Sequence, residues 1–402
     1  MNNQLIDGFY DGLDTSQQER VDSVIDAIVD AKNADQGVVV ATGSGPNIHE
    51  GVTTLIAEMI NKGVVDGVLT SSAVIAHEMA GALDEVKRVD ASKINMERSI
   101  SLPKGDLFEL SIMPGNLQSK VSAEMALDME FIQRLEESPG EVIIKAAGNM
   151  GYPMGLRTEI LAEEILELCE NRFHRQVPFE QVVGLGASPH TMIGAGVNHN
   201  VPILVSIPQL VGGGAVGMCI GDSISIHRRA GLNATLLAGA SLIIESGLAL
   251  AQEIHDGPLE TYTGHGIWSE WQGRDAYSLQ GKTIARIDLD PNLESAWVQQ
   301  RDSAIVQDAI DKGLPKTKIT GVPFRMEMSG FARLDSSIPI IGDLGEIWPI
   351  IASRVSEKLG IDLDFMSYKQ ETREGKEMRR WIVDQVHPVN KDTLLERLIA
   401  LE

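Results

Sequence analysis

The chain has 402 residues, 43% hydrophobic and 23% charged, enough to bury the core of one large or two medium domains. A formal net charge of −23 leaves no basic patch to neutralise phosphates, which excludes nucleic-acid and anionic-membrane partners. Two cysteines, Cys169 and Cys219, with no CxxC pair exclude a disulfide scaffold and a thiolate zinc site.

The opening MNNQLIDGFYDGL has neither the basic nor the apolar region of a signal peptide. A cytoplasmic location is therefore expected. Residues 16–33 alternate charged and apolar positions at helical spacing, and GVVVATGSGP (37–46) reads as a buried strand entering a glycine turn. Ile48 to Asn61 resumes the helical period, and VVDGVLTSSA (64–73) is a second strand ending in small hydroxyl residues. Strand, turn, helix and strand within about forty residues is the form of a βαβ unit. Residues 86–120 carry Pro103 and Pro114 without a clear period, so an irregular insertion or a small hairpin is expected there. Helical spacing returns at 121–137, a strand at 141–149 and a helix at 157–172. VVGLGAS (182–188), VPILVSI (201–207), KTIARIDL (282–289) and IPIIGD (338–343) read as further strands, with a helix at 347–359. The apolar stretch Ala238 to Ala251 is interrupted by Glu245 and is too short to span a bilayer. The expected architecture is α/β, a doubly wound, mainly parallel Rossmann-like sheet, as one large domain over 1–368 with a charged C-terminal extension at 369–402.

In such a sheet ligands bind at the carboxyl ends of the strands, where small residues let a backbone approach them. Four strand ends fit: Thr42-Gly43-Ser44-Gly45, Thr70-Ser71-Ser72-Ala73, Val211 to Gly217, and Gly342-Asp343. None is a full GxGxxG, but helix N-termini following them would attract a phosphate. Asp288 or Asp290 in RIDLDP either accepts hydrogen bonds from a ribose diol or caps a turn. His77, His199, His227 and His265 fall at strand ends or helix starts, where each is either a proton-moving group or a hydrogen-bonded structural residue. His49-Glu50 and His77-Glu78 resemble halves of metal motifs but lack a second histidine four residues on, so no metal site is expected. The segment YTGHGIWSEWQGRD (262–275) suits a lid over a small polar or cationic substrate, or a surface loop packed on a neighbouring subunit.

Three collinear segments carry a family resemblance. SGPNIHEGVTTLIAEMINKGVVDGVLTSSAVIAHEMAGAL (44–83), NHNVPILVSIPQLVGGGAVGMCIGDSISIH (198–227) and GDLGEIWPII (342–351) are similar to landmarks of the deoxyhypusine synthases. The element Ala73 to Glu78 and the strand end Ile287 to Pro291 also resemble the NAD-dependent ornithine cyclodeaminases of archaea and cyanobacteria. The resemblance implies NAD as cofactor, a sheet of deoxyhypusine synthase type and a homotetramer with active sites between subunits. It implies that Ser44, Gly45 and Pro46 line the pyrophosphate, that Ser71, Ser72 and Ala73 run along the cofactor, and that Asp343 hydrogen-bonds it. Asp222 and His227 would face an amine substrate, with Ala76 or His77 where the family has an acidic pair. The family's imine-forming lysine is replaced by Gly330, and no lysine lies between Lys318 and Asp343. Aminobutyl transfer to a protein lysine is thus disfavoured. The expected activity is NAD-dependent oxidation of an amine or amino acid to an imine, in the manner of a deaminase or cyclodeaminase. Asp222 would hold the ammonium, His227 or His77 would move protons, and His265 with the tryptophans of 262–275 would exclude water. The alternatives are a spermidine-using transferase and a catalytically idle nucleotide-binding scaffold.

Overall fold

The computed structural model describes residues 1–43, 45–94, 107–148, 151–206, 208, 213–247, 279, 281–314, 319, 321 and 336–400. Its larger sheet holds six parallel strands: β1 (Gly37–Thr42), β2 (Gly67–Thr70), β7 (Ile203–Val205), β8 (Ala240–Ser246), β9 (Thr283–Asp288) and β10 (Ser337–Ile341). The lateral order is β10-β9-β8-β1-β2-β7. Numbered by appearance in this sheet the order is 6-5-4-1-2-3, the doubly wound arrangement of dinucleotide-binding sheets. The chain builds outward from β1 to β7, then returns to the other flank of β1 to lay down β8.

Continuous apolar runs form these strands because both faces are covered. Val38 and Val40 of β1 join Val24 and Ile28 of the helix Thr15–Asn33 on one face. Val39 and Ala41 join Leu237 and Leu293, from the helices Ile226–Gly239 and Asn292–Asp302, on the other. Helix Thr15–Asn33 starts where Asp14 accepts from Gln17 N (2.9 Å) and buries Val21, Val24, Ile25 and Ile28, a single helical stripe.

A second, four-stranded sheet has the order β5-β3-β4-β6, from β3 (Leu83–Asp90), β4 (Leu107–Ser111), β5 (Gly140–Ala146) and β6 (Gly151–Tyr152). β3 runs antiparallel to β4 and β5. Helix Met129–Glu137 covers part of one face through Ile132 and Leu135, against Val89 and Leu110. The C-terminal helices Arg373–Gln385 and Lys391–Ala400 bury Met378, Ile382, Leu394 and Leu398 in the main core.

One expected strand is corrected. Within 182–188 the chain is helical, as the end of Phe179–Gly184. Phe179, Val182 and Val183 are spaced i, i+3, i+4 and buried together, and Gly184 lets the backbone meet Ile193, whose carbonyl oxygen a Cβ would approach to 2.5 Å. Among the described residues no helix is long and apolar enough to cross a membrane.

Candidate functional site

The strand order reverses between β1 and β8, so the crevice of this sheet lies above Thr42 and Ser246. The chain leaves β1 through Gly43 and turns at Gly45, whose φ of +66° favours glycine. Apart from its chain neighbours, no atom of the described residues lies within 4 Å of where a Gly45 Cβ would stand, so among them the turn is open on that side. Pro46 opens the short helix Pro46–His49. Three buried side chains fix this corner: Asn47 Nδ2 donates to Ser246 O (3.0 Å), Ser246 Oγ donates to Asn47 Oδ1 (2.6 Å), and Trp348 Nε1 donates to Ser246 Oγ (2.8 Å). Thr70 Oγ1 donates to Thr42 O (3.0 Å) and ties the end of β2 to the end of β1.

Two titratable groups follow the glycine turn. Burial pushes His49 down to about 4, with Arg379, His77 and Lys145 adding to the effect, so its imidazole is neutral. Burial pushes Glu50 up to about 7 against the hydrogen bond from Gln370 N (2.7 Å), and the Asp343 carboxylate raises it further.

The sequence-predicted residues separate into two groups. Gly45, Pro46, Ser71, Ser72, Ala73, Asp288 and Asp343 all stand at the carboxyl edge of the six-stranded sheet. Ser71 caps the helix Ser72–Met79, its Oγ accepting from Val74 N (3.3 Å), while Ser72 and Ala73 are buried in the first turn. Asp288 accepts from Asp290 N (3.1 Å) in the turn after β9. Asp343 caps the helix Leu344–Leu359 through Gly345 N (2.8 Å) and lies 3.5 Å from Lys369 Nζ. His77 belongs to the helix that Ser71 caps. It is buried, its Nδ1 lies 2.6 Å from Ala147 O, and burial lowers its pKa. A carbonyl can only accept, so Nδ1 carries the proton and Nε2 keeps its lone pair.

Asp222 and His227 lie elsewhere, exposed at the corner between the helices Gly214–Ser223 and Ile226–Gly239. Asp222 lines an open depression of about 430 Å³ with Arg175, Gln176 and Arg228. The buried Arg229 fastens this corner to the edge strand β7 through Val205 O (3.1 Å) and Glu180. Two strands, β2 and β1, separate β7 from β8. Ser44, His265 and the rest of 262–275 lie outside the described residues.

Sequence reasoning missed Asn47, Ser246 and Trp348, which carry no motif beyond sitting beside the glycine turn, the end of β8 and Asp343. It noticed His49-Glu50 only as an incomplete metal pair. It also missed a polar face on the second sheet, made by Asp84, Ser111 and Lys145.

The fold and crevice define a doubly wound α/β protein with a dinucleotide-type switch point. No protein-family model and no curated protein matches the sequence. In structure the chain is similar to AgrE solved with ornithine and NAD+, at 14% identity and a TM-score of 0.38, over 87% of this chain and 34% of AgrE. It is also similar to a conserved putative LOR/SDH protein from Methanococcus maripaludis S2, at 10% identity and a TM-score of 0.40, over 85% of this chain and 68% of the other. A putative deoxyhypusine synthase from Entamoeba histolytica is similar at 9% identity and a TM-score of 0.40, over 84% of this chain and 87% of the other. The chain spans about a third of the length of AgrE.

Proposed function

We propose that NAD lies across the switch point between β1 and β8 and that the chain is an NAD-dependent enzyme oxidising an amine or amino acid to an imine. The observation that carries the cofactor half is the 6-5-4-1-2-3 strand order with an open glycine turn at the reversal. The residues present fit a dinucleotide: the Gly45 side is clear of atoms of the other described residues, and Asn47, Ser246 and Trp348 hold the corner beneath it. Gly45 and Pro46 would line the pyrophosphate, Ser71 to Ala73 would run along the cofactor, Asp288 would take a ribose diol and Asp343 a further hydrogen bond. When bound, NAD accepts the hydride from the carbon that bears the amine. The chain's own part is to hold that carbon still, keep water away and move the amine proton. His77 is neutral by burial and keeps Nε2 as a proton acceptor beside neutral His49. Asp222 and His227 stand beyond the edge strand and would serve the crevice of a neighbouring subunit, in the homotetramer that the sequence resemblance implies.

The test is a thermal and calorimetric titration with NAD. A ligand bound only by the folded state stabilises it by about 2.7 kcal/mol at a hundred times its Kd, so NAD should raise the melting midpoint. Ser71→Asp keeps a good helix cap but sets a negative charge against the pyrophosphate. Its apo midpoint should match the parent, and its NAD affinity should fall about tenfold or more. A parent protein that millimolar NAD neither binds nor stabilises would end the dinucleotide reading.

A further inference from the structure

The second sheet has two unlike faces. Strand alternation places Leu83, Val89, Phe108 and Leu110 on one side, and Asp84, Arg88, Glu109, Ser111 and Lys145 on the other. On this polar side Glu109 is satisfied, accepting from Arg88 Nε (3.0 Å) and from Lys145 Nζ (2.6 Å). Asp84 Oδ2 and Ser111 Oγ are not. Burial pushes the Asp84 carboxyl up to about 6, against the nearby Ser111 hydroxyl and the Glu85 backbone N–H, yet among the described residues neither Ser111 Oγ nor Asp84 Oδ2 closes a hydrogen bond. Both atoms are buried, and Ser111 as a whole is only 3% exposed. Buried acceptors of this kind are rare and costly unless something else supplies the donor.

The two oxygens also converge. A Cβ at Gly151 would come within 2.7 Å of Ser111 Oγ and 3.6 Å of Asp84 Oδ2, so β6 presents bare backbone at the point they share. The cluster adjoins the crevice. Lys145 is close enough to depress both His49 and His77, and His49 ends the helix that follows the glycine turn.

We propose that Asp84 and Ser111 form this chain's own site for a primary ammonium group of the substrate. A carboxylate oxygen and a hydroxyl oxygen that close no hydrogen bond, Asp84 Oδ2 and Ser111 Oγ, match a group that carries three N–H donors and a positive charge. Asp222, exposed to water, would hold the same group far more weakly. The inference rests on the amine-oxidising reading for its substrate, but the binding site can be tested apart from turnover.

The probes are L-ornithine, putrescine and n-butylammonium, each titrated calorimetrically into the full chain with and without NAD. At least one should bind, and Asp84→Asn should weaken it by about tenfold or more while NAD affinity stays within about twofold. Ser111→Ala should weaken it severalfold, and it decides the matter if Asp84→Asn does not fold. Parent-like amine affinity in both Asp84→Asn and Ser111→Ala would overturn the assignment, as would NAD binding with none of the three amines held. If an amine binds through Asp84 but NAD does not bind, the ammonium site stands and the dinucleotide reading falls.

Discussion

Glu78 shows how a carboxylate next to a candidate site can be wholly structural. Its side chain is fully buried and accepts from Met192 N (2.8 Å) and Ile193 N (3.1 Å), the first backbone donors of the helix Met192–His199. Burial nevertheless pushes its pKa from 4.5 up to about 7. Between those values the folded chain holds a proton that the unfolded chain has lost. The stability this group contributes is therefore fully present below about 4.5 and is lost as pH rises towards 7. Glu78→Gln cannot titrate. Wild type should lose ground to this variant by up to about 1 kcal/mol per pH unit across that window, measured by chemical denaturation. The opposite slope would mean that the ionised carboxylate's bonds to the helix outweigh its burial. The same double meaning limited what single residues revealed in the sequence. Ser71, Asp288 and Asp343 were placed at strand ends by spacing, yet each also caps a helix or a turn. Asp84 and Ser111 gave no signal, because their importance lies in a cross-strand pairing of β3 with β4 that no local pattern encodes.

Among the elements, five of the six parallel strands were legible as apolar runs closed by small residues, and β8 was not. Its run continues past Ser246 into further apolar residues and contains Glu245, so no length or period marked it as a strand. In the sheet Glu245 faces Arg286 of β9, 3.8 Å away, and both are buried. Two apolar neighbours, β1 and β9, thus accommodate a charged residue because one of them brings the counter-charge. The false strand at 182–188 has the converse cause: a short apolar run reads alike in either period. The missing β8 matters most, since its end makes half of the crevice. Ser246 there joins Asn47 to Trp348, and Ser246→Ala would leave a buried indole N–H and an amide oxygen without their partner. The expected cost is about 1–3 kcal/mol, read as a lower unfolding free energy. NAD affinity should fall with it, because the loosened corner carries the glycine turn. An alanine variant with unchanged stability would show that the triangle does not hold that corner.

For the whole molecule, the charged segment after residue 368 joins the two sheets. Charge alone suggested an extension that caps the surface or a subunit contact, because acidic and basic residues fill the solvent side of its helices and leave only a narrow apolar stripe. That stripe is buried: Met378 packs beneath Gly51, where a Cβ would meet its sulfur at 2.6 Å, and Ile382 is fully enclosed. Backbone and side-chain bonds then fasten the tail at separate points. Gln370 N donates to Glu50 beside the crevice, and Arg379 donates to Ile144 O of β5. Arg380 pairs with Glu85 of β3 (2.7 Å), Val389 N donates to Met79 O (2.9 Å), and Asn390 N donates to Gly186 O (2.9 Å). The bonds to Glu50, Ile144 and Glu85 join the crevice side of the large sheet to the second sheet, which carries the proposed ammonium site. Losing the tail should therefore uncouple the two sites as well as expose apolar surface. Ile382→Ala should lower the unfolding free energy by about 2–5 kcal/mol, the usual range for emptying an enclosed aliphatic site. A chain stopping at Tyr368 should lose cooperative unfolding and the NAD-induced rise in midpoint together. If that shortened chain melted at the parent's midpoint and still responded to NAD, the segment would be a dispensable surface element that does not couple the two sheets.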